Sequence, residues 1–112
     1  MTKILFVCSA NVDRSPTAEH IYSNHPGWKV KSAGVSLYAR TPVSAELVEW
    51  SDIIFTMEDY QRQRIMYKFA DVIAGKTIVS LNIPDQYVYM SPLLVEIIKE
   101  KVDAWMLENT IR

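Results

Sequence analysis

The run Lys3-Ile-Leu-Phe-Val-Cys8 constrains the fold more than any other stretch of this chain. It is apolar almost throughout, with no alternation of apolar and polar residues. It therefore reads as a strand buried on both faces, and such a strand needs a covering layer on each side. A short polar turn follows, Ser9–Asp13, and then a helical pattern over Pro16–Asn24. Three more strands are expected at Trp28–Ala33, Asp52–Met57 and Lys76–Leu81. The first of these alternates, which suits a position near an edge. Helical patterns fill the intervals at Ser44–Trp50, Glu58–Phe69 and Pro92–Leu107. Strands alternating with helices predict an α/β, Rossmann-like fold: a four-stranded parallel sheet with helices on both faces. With 112 residues, no linker-like segment and no internal repeat, residues 1–112 are expected to form one domain.

Composition narrows the function. The net charge of −1 carries no basic footprint for nucleic acid or an anionic membrane. The single cysteine, Cys8, excludes an internal disulfide and a cysteine-based metal cage, and it suits a reducing cytoplasm. The apolar run Ile4–Val7 is too short for a signal-peptide core or a membrane span. A cytoplasmic protein is the expectation.

Cys8 closes the first strand, and in open parallel sheets ligands bind beyond the carboxyl ends of strands. Ser15 suits a helix N-cap and Pro16 a first helical residue. A helix N-terminus presents free N–H groups and the positive end of a dipole, and a loop curled over it adds donors. That field favours an anion, whether a phosphate or a thiolate. Arg14 contributes a planar fork that matches two phosphate oxygens. Cys8, the backbone of Ser9, Ala10, Asn11, Val12 and Asp13, and Arg14 together offer a nucleophile, an oxyanion cradle and a clamp. Attack of sulfur on phosphorus uses all three, and it needs no metal and no cofactor. An isolated C-x5-R pair is more often a buried thiol beside a surface charge. Here an apolar strand precedes the pair and Ser-Pro and a helix follow, which favours the chemical reading.

The stretch FVCSANVDRSPTAE resembles the phosphate-binding loop of the low-molecular-weight protein tyrosine phosphatases, usually C-x-G-N-x-C-R-S-P. Cys8, Asn11, Arg14, Ser15 and Pro16 match. VKSAGVSLY resembles that family's second strand and loop, SDIIFTME its third strand, and NIPDQY stands where it carries an acid loop, usually Asp-Pro-Tyr. The resemblance implies Cys8 as nucleophile and Arg14 as phosphate clamp. Ser15 would hydrogen-bond the sulfur and Asn11 would brace the loop. Asp85 would be the general acid, with Tyr38 and Tyr87 flanking the substrate ring. Ala10 replaces the family's glycine, Asp13 replaces its second cysteine, and Pro-Asp-Gln-Tyr replaces Asp-Pro-Tyr. Asp13 is expected to point outward or to pair with a cation, since facing inward it would oppose both thiolate and phosphate.

The implied function is phosphomonoester hydrolysis through a cysteinyl-phosphate intermediate. The expected partners are a phosphotyrosine protein or small aryl phosphate, with inorganic phosphate or sulfate as a site ligand. Two rivals stand beside it. One is arsenate reduction, which with a single cysteine would need an external thiol. The other is an anion-binding or regulatory domain with weak catalysis. Asp52, Glu58 and Asp59 compete with Asp85 for the acid role. His20 and His25 are expected at the surface or core edge rather than on a metal, and Tyr89 at the core edge. Residues Glu58–Lys68 are expected to show a solvated helix face, and the C-terminal Trp and Met residues to join the core.

Overall fold

A computed structural model describes residues 1–110. Strands β1 (Thr2–Cys8), β2 (Trp28–Gly34), β3 (Ile53–Thr56) and β4 (Thr77–Ser80) form one parallel sheet in the order β2-β1-β3-β4. Helices α1 (Arg14–Tyr22), α2 (Ala45–Trp50), α3 (Asp59–Lys68) and α4 (Pro92–Thr110) alternate with the strands. The expected α/β architecture is therefore present, with the alternating strand β2 at an edge.

β1 explains the layering. Ile4, Phe6 and Cys8 face one side, where they meet Ala18 and Tyr22 of α1 and Leu94, Ile98 and Val102 of α4. Leu5 and Val7 face the other, against Val48 of α2 and Ile65 of α3. A fully buried large apolar side chain contributes roughly 1.5–3 kcal/mol, so this central strand is a main source of stability. The Phe6 ring stacks between Tyr22 and Phe55, at 5.8 and 5.6 Å, and Trp105 of α4 meets Phe55 edge-on at 5.3 Å. Trp105 and Met106 pack against this core, as the helical spacing predicts.

The chain leaves β1 through α1 to reach β2 on one side. It then returns through α2 to β3 on the other side of β1. Connections from β1 and β3 thus diverge, and a crevice opens beyond their carboxyl ends. Cys8 and the start of α3 both lie there.

Helix starts differ from expectation in one informative place. Ser44 caps α2 by accepting the Leu47 N–H at 3.2 Å. Glu58 and Gln61 form a reciprocal capping box on α3. α1, however, begins at Arg14, so Ser15 is not its N-cap; Asp13 holds that position without a side-chain capping bond. The Ser15 hydroxyl is instead turned inward, to Cys8. Among the described residues no helix is long and apolar enough to cross a membrane.

Candidate active site

The loop after β1 is shaped by its carbonyls. Those of Cys8, Ser9 and Ala10 accept the N–H groups of Val35, Ser36 and Arg40 at 3.0, 3.0 and 2.9 Å. In a trans peptide the next residue's N–H points opposite its carbonyl. Three carbonyls tied to the segment after β2 therefore turn the amides of Ser9, Ala10 and Asn11 the other way. The Asn11 N–H lies 3.3 Å from Cys8 Sγ, as this geometry requires. Ala10 has no positive φ and is exposed, so a Cβ in place of the family's glycine meets no backbone strain.

Gly34 permits that packing. A Cβ there would collide with the Ser9 carbonyl oxygen and lie 2.7 Å from Ala39 Cβ and 3.0 Å from Asn11 N. Its φ is ordinary, so the glycine is needed for space. Gly34→Ala is expected to displace the loop, with a stability cost of about 1–3 kcal/mol typical of overpacking. Affinity for phosphate as a probe anion should fall by about tenfold or more, because the amides that would hold it are displaced. Thermal melting with and without phosphate checks both; unchanged affinity would show that the loop does not depend on this contact.

Asn11 sits at φ 59°, a left-handed conformation that Asn tolerates better than most residues. Both protons of its amide are used: Nδ2 donates to Ser15 Oγ at 2.9 Å and to Ser32 Oγ at 3.0 Å. Ser32 donates onward to Glu19 Oε1 at 2.5 Å. Ser15 Oγ lies 3.0 Å from Cys8 Sγ and 3.2 Å from the Ala33 carbonyl oxygen. A hydroxyl has one proton. With Cys8 as a thiolate that proton serves the sulfur; with Cys8 as a thiol, the S–H donates and the hydroxyl turns to Ala33.

Arg14 is 2% exposed although it is charged. Its Nη1 donates to Glu58 Oε2 at 2.7 Å and to the Ile83 carbonyl at 2.8 Å. Its Nε lies 3.8 Å from Asp85 Oδ1, and that carboxylate is 66% exposed. A cavity of about 50 Å³ is lined by Cys8, Ser9, Ala10, Val12, Asp13, Arg14 and Asp85. A larger cleft of about 780 Å³ runs behind the loop beside α1, but Cys8 does not line it. Size alone does not mark the chemistry here.

The structure thus brings together Cys8, the Ser9–Asp13 loop, Arg14, Ser15 and Asp85. It does not bring Tyr38 or Tyr87 to the cavity wall: Tyr38 is 94% exposed, and Tyr87 is half-buried against the core. Tyr89 is exposed, not a core-edge residue; its ring meets His20 edge-on. His25 stacks on Trp28 at 3.8 Å between ring centres. Of the competing carboxylates, Asp52 accepts the Lys3 N–H at 2.8 Å, at the start of β1 and far from Cys8 along that strand. Asp59 is held by Arg62 and Gln63 at 2.8 and 2.6 Å, and those bonds keep its carboxyl below the usual range. Glu58 is bound to Arg14 as an orienting partner.

Two further residues reach the loop from the start of α3, whose later residues Gln63, Arg64, Tyr67 and Lys68 are exposed as expected. Ser9 Oγ contacts the Tyr60 hydroxyl and accepts from Gln61 Nε2 at 3.3 Å. Gln61 is fully buried, with Oε1 accepting the N–H groups of Met57 and Glu58 at 3.0 and 2.9 Å. The usable signal was the E-x-x-Q spacing at Glu58–Gln61, directly after a strand that neighbours β1.

No protein-family model matches the sequence, and no curated protein matches it. Solved structures match the fold over nearly the whole chain. A low-molecular-weight protein tyrosine phosphatase from Streptococcus pyogenes superposes with a TM-score of 0.78 at 15% identity, covering 97% of this chain and 93% of that one. The tyrosine phosphatase Wzb from Escherichia coli K30, solved in complex with phosphate, gives 0.74 at 23% identity over 96% and 97%. The YwlE arginine phosphatase from Geobacillus stearothermophilus gives 0.65 at 20% identity over 97% of each chain. The chain therefore has the fold of the low-molecular-weight phosphatases.

Proposed function

We propose that the protein is a cysteine-dependent phosphomonoester hydrolase acting on phosphotyrosine or a similar aryl phosphate. The observation that carries this reading is the convergence on one small cavity of Cys8, residues of the loop after β1, Arg14 and Asp85. The phosphate of Wzb and the phosphatase identities of the structural neighbours support it.

The mechanism follows from the atoms. The Cys8 thiolate attacks phosphorus, and the bond from phosphorus to the leaving oxygen breaks. Asp85 gives its proton to that oxygen. Nη1 of Arg14 is occupied by Glu58 and Ile83, so the Nε and Nη2 donors hold the equatorial phosphate oxygens with the loop amides. Water then attacks the cysteinyl phosphate, Asp85 takes its proton, and the P–S bond breaks. Phosphate leaves, and the Ser15 hydroxyl stabilises the returning thiolate. A nucleophilic thiol is best kept reduced, so a reducing compartment such as the cytoplasm suits this chemistry.

Purified protein should hydrolyse nitrophenyl phosphate in the presence of a chelator, and rapid acid quenching should trap phosphate on Cys8. Failure of both would remove the enzyme reading and favour an anion-binding domain. Arsenite formation dependent on an added thiol would favour the reductase. Asp85→Asn should lower catalytic efficiency by about 10²–10⁴-fold for alkyl phosphates, the range of general acid catalysis, and less for nitrophenyl phosphate. Equal losses across a leaving-group series would assign the acid elsewhere.

A further inference from the structure

The segment bearing Asp85 joins β4 to α4. On one side of Asp85 it is tied to the phosphate loop through Ile83, whose carbonyl accepts from Arg14. On the other side the tie is made by Asp13, next to Arg14 in the chain: Asp13 Oδ1 accepts the Tyr89 N–H at 2.9 Å. Thr17, one turn along α1, accepts the Met90 N–H at 2.9 Å, and its own hydroxyl donates to the Asp13 carbonyl at 2.7 Å. Met90 has a φ of 60°, so the chain turns sharply there. Between these anchors and just past them the backbone bonds are local, from the Gln86 N–H to the Pro84 carbonyl and from the Ser91 N–H to the Val88 carbonyl, each at 3.0 Å.

We infer that Asp13 is a positioning residue for the general acid, clasping the Tyr89 backbone so that Asp85 stays over the phosphate loop. This rests on the phosphatase reading and on Asp85 as its acid. It accounts for a carboxylate in a loop built for anions: Asp13 directs Oδ1 to a backbone N–H of the acid segment. It also gives the position a role unrelated to redox chemistry, where a cysteine would have offered a second thiol. The carboxylate oxygen acts as an acceptor, so an amide oxygen in the same place should serve as well.

The test compares Asp13→Ala with Asp13→Asn. The alanine variant should speed amide hydrogen exchange at Tyr89 by about fivefold or more, the effect of one modest hydrogen bond. Its catalytic efficiency should fall by about fivefold to tenfold for phenyl or alkyl phosphates and by less than about twofold for nitrophenyl phosphate. The asparagine variant should restore both. Phosphate inhibition constants should stay within about threefold in either variant, since charge at Asp13 is not the operative feature. The inference is overturned if Tyr89 exchange ignores the alanine change, if losses are equal for all leaving groups, or if asparagine behaves like alanine. A hundredfold gain in phosphate affinity in either variant would also overturn it, by showing that Asp13 faces the anion. Asp85→Asn measured alongside separates this failure from the failure of its premise. A flat leaving-group series in that variant removes Asp85 as the acid, and the catalytic role of the clasp goes with it. A steep series there, with Asp13→Ala unaffected, refutes the clasp alone.

Discussion

Cys8→Ser is expected to lower phosphatase turnover by at least about a thousandfold while leaving phosphate binding intact or slightly tighter. The two halves of this result come from different atoms. Chemistry depends on the sulfur, because a serine hydroxyl is a weak nucleophile unless a base takes its proton. Among the described residues, the hydrogen-bond partners of Cys8 Sγ are Ser15 Oγ and the Asn11 N–H at 3.0 and 3.3 Å, and neither is a base. Binding depends on the loop amides and Arg14. The amides are oriented by carbonyls bonded to Val35, Ser36 and Arg40, and none of those bonds involves the thiol. Removing a thiolate from the cavity floor also removes repulsion toward a phosphate dianion. Steady-state rates with nitrophenyl phosphate and calorimetric titration with inorganic phosphate measure the two halves separately. Aryl phosphatase activity near the wild-type level would end the covalent mechanism. Lost phosphate binding would mean that the sulfur, not the backbone, organises the cradle.

The layers of the fold could be read because apolar burial leaves a pattern in the chain. β1 is apolar on both faces because both faces are covered, and α4 shows Leu94, Ile98 and Val102 at helical spacing because that stripe is buried. Cys8 and Arg14 could be singled out for a different reason: one short contiguous loop carries both, so the proposed nucleophile, cradle and clamp are neighbours in the chain as well as in space. Asp85 could be placed only by its position after β4. Periodicity was silent about Tyr38 and Tyr87, since a loop residue's direction is set by turn geometry and tertiary contacts. It misled at the start of α3. Glu58, Tyr60 and Gln61 are polar, and a polar helix start reads as solvated. Each is nonetheless drawn to the phosphate loop or to Arg14, because the end of β3 lies beside the end of β1. Ser15 carries two readings, an N-cap from its residue type and a partner of the sulfur from the family resemblance, and the structure follows the second. A buried thiol and the Asn11 amide compete for the hydroxyl, and they prevail.

Arg14→Lys is expected to lower catalytic efficiency by about a hundredfold or more, although it conserves charge. A buried arginine in this position meets two demands at once. Nη1 fastens Glu58 and the Ile83 carbonyl, which joins α3 and the Asp85 segment to the phosphate loop. The remaining edge of the planar fork is left for two phosphate oxygens. A lysine ammonium has three donors on one atom. If it stays with Glu58 at about the 2.7 Å that Nη1 now occupies, it is drawn away from the anion. If it swings to the phosphate, the Glu58 carboxylate and the Ile83 carbonyl lose their partner, and an unsatisfied buried acceptor costs about 1–3 kcal/mol. Either choice damages catalysis, and the two can be told apart. A lysine held by Glu58 leaves the melting temperature near wild type and weakens phosphate inhibition strongly. A lysine drawn to the anion keeps more phosphate affinity but lowers the melting temperature, which phosphate then partly restores. A loss of less than tenfold in catalytic efficiency, with folding unchanged, would show that a point charge suffices and that Arg14 is not a two-point clamp.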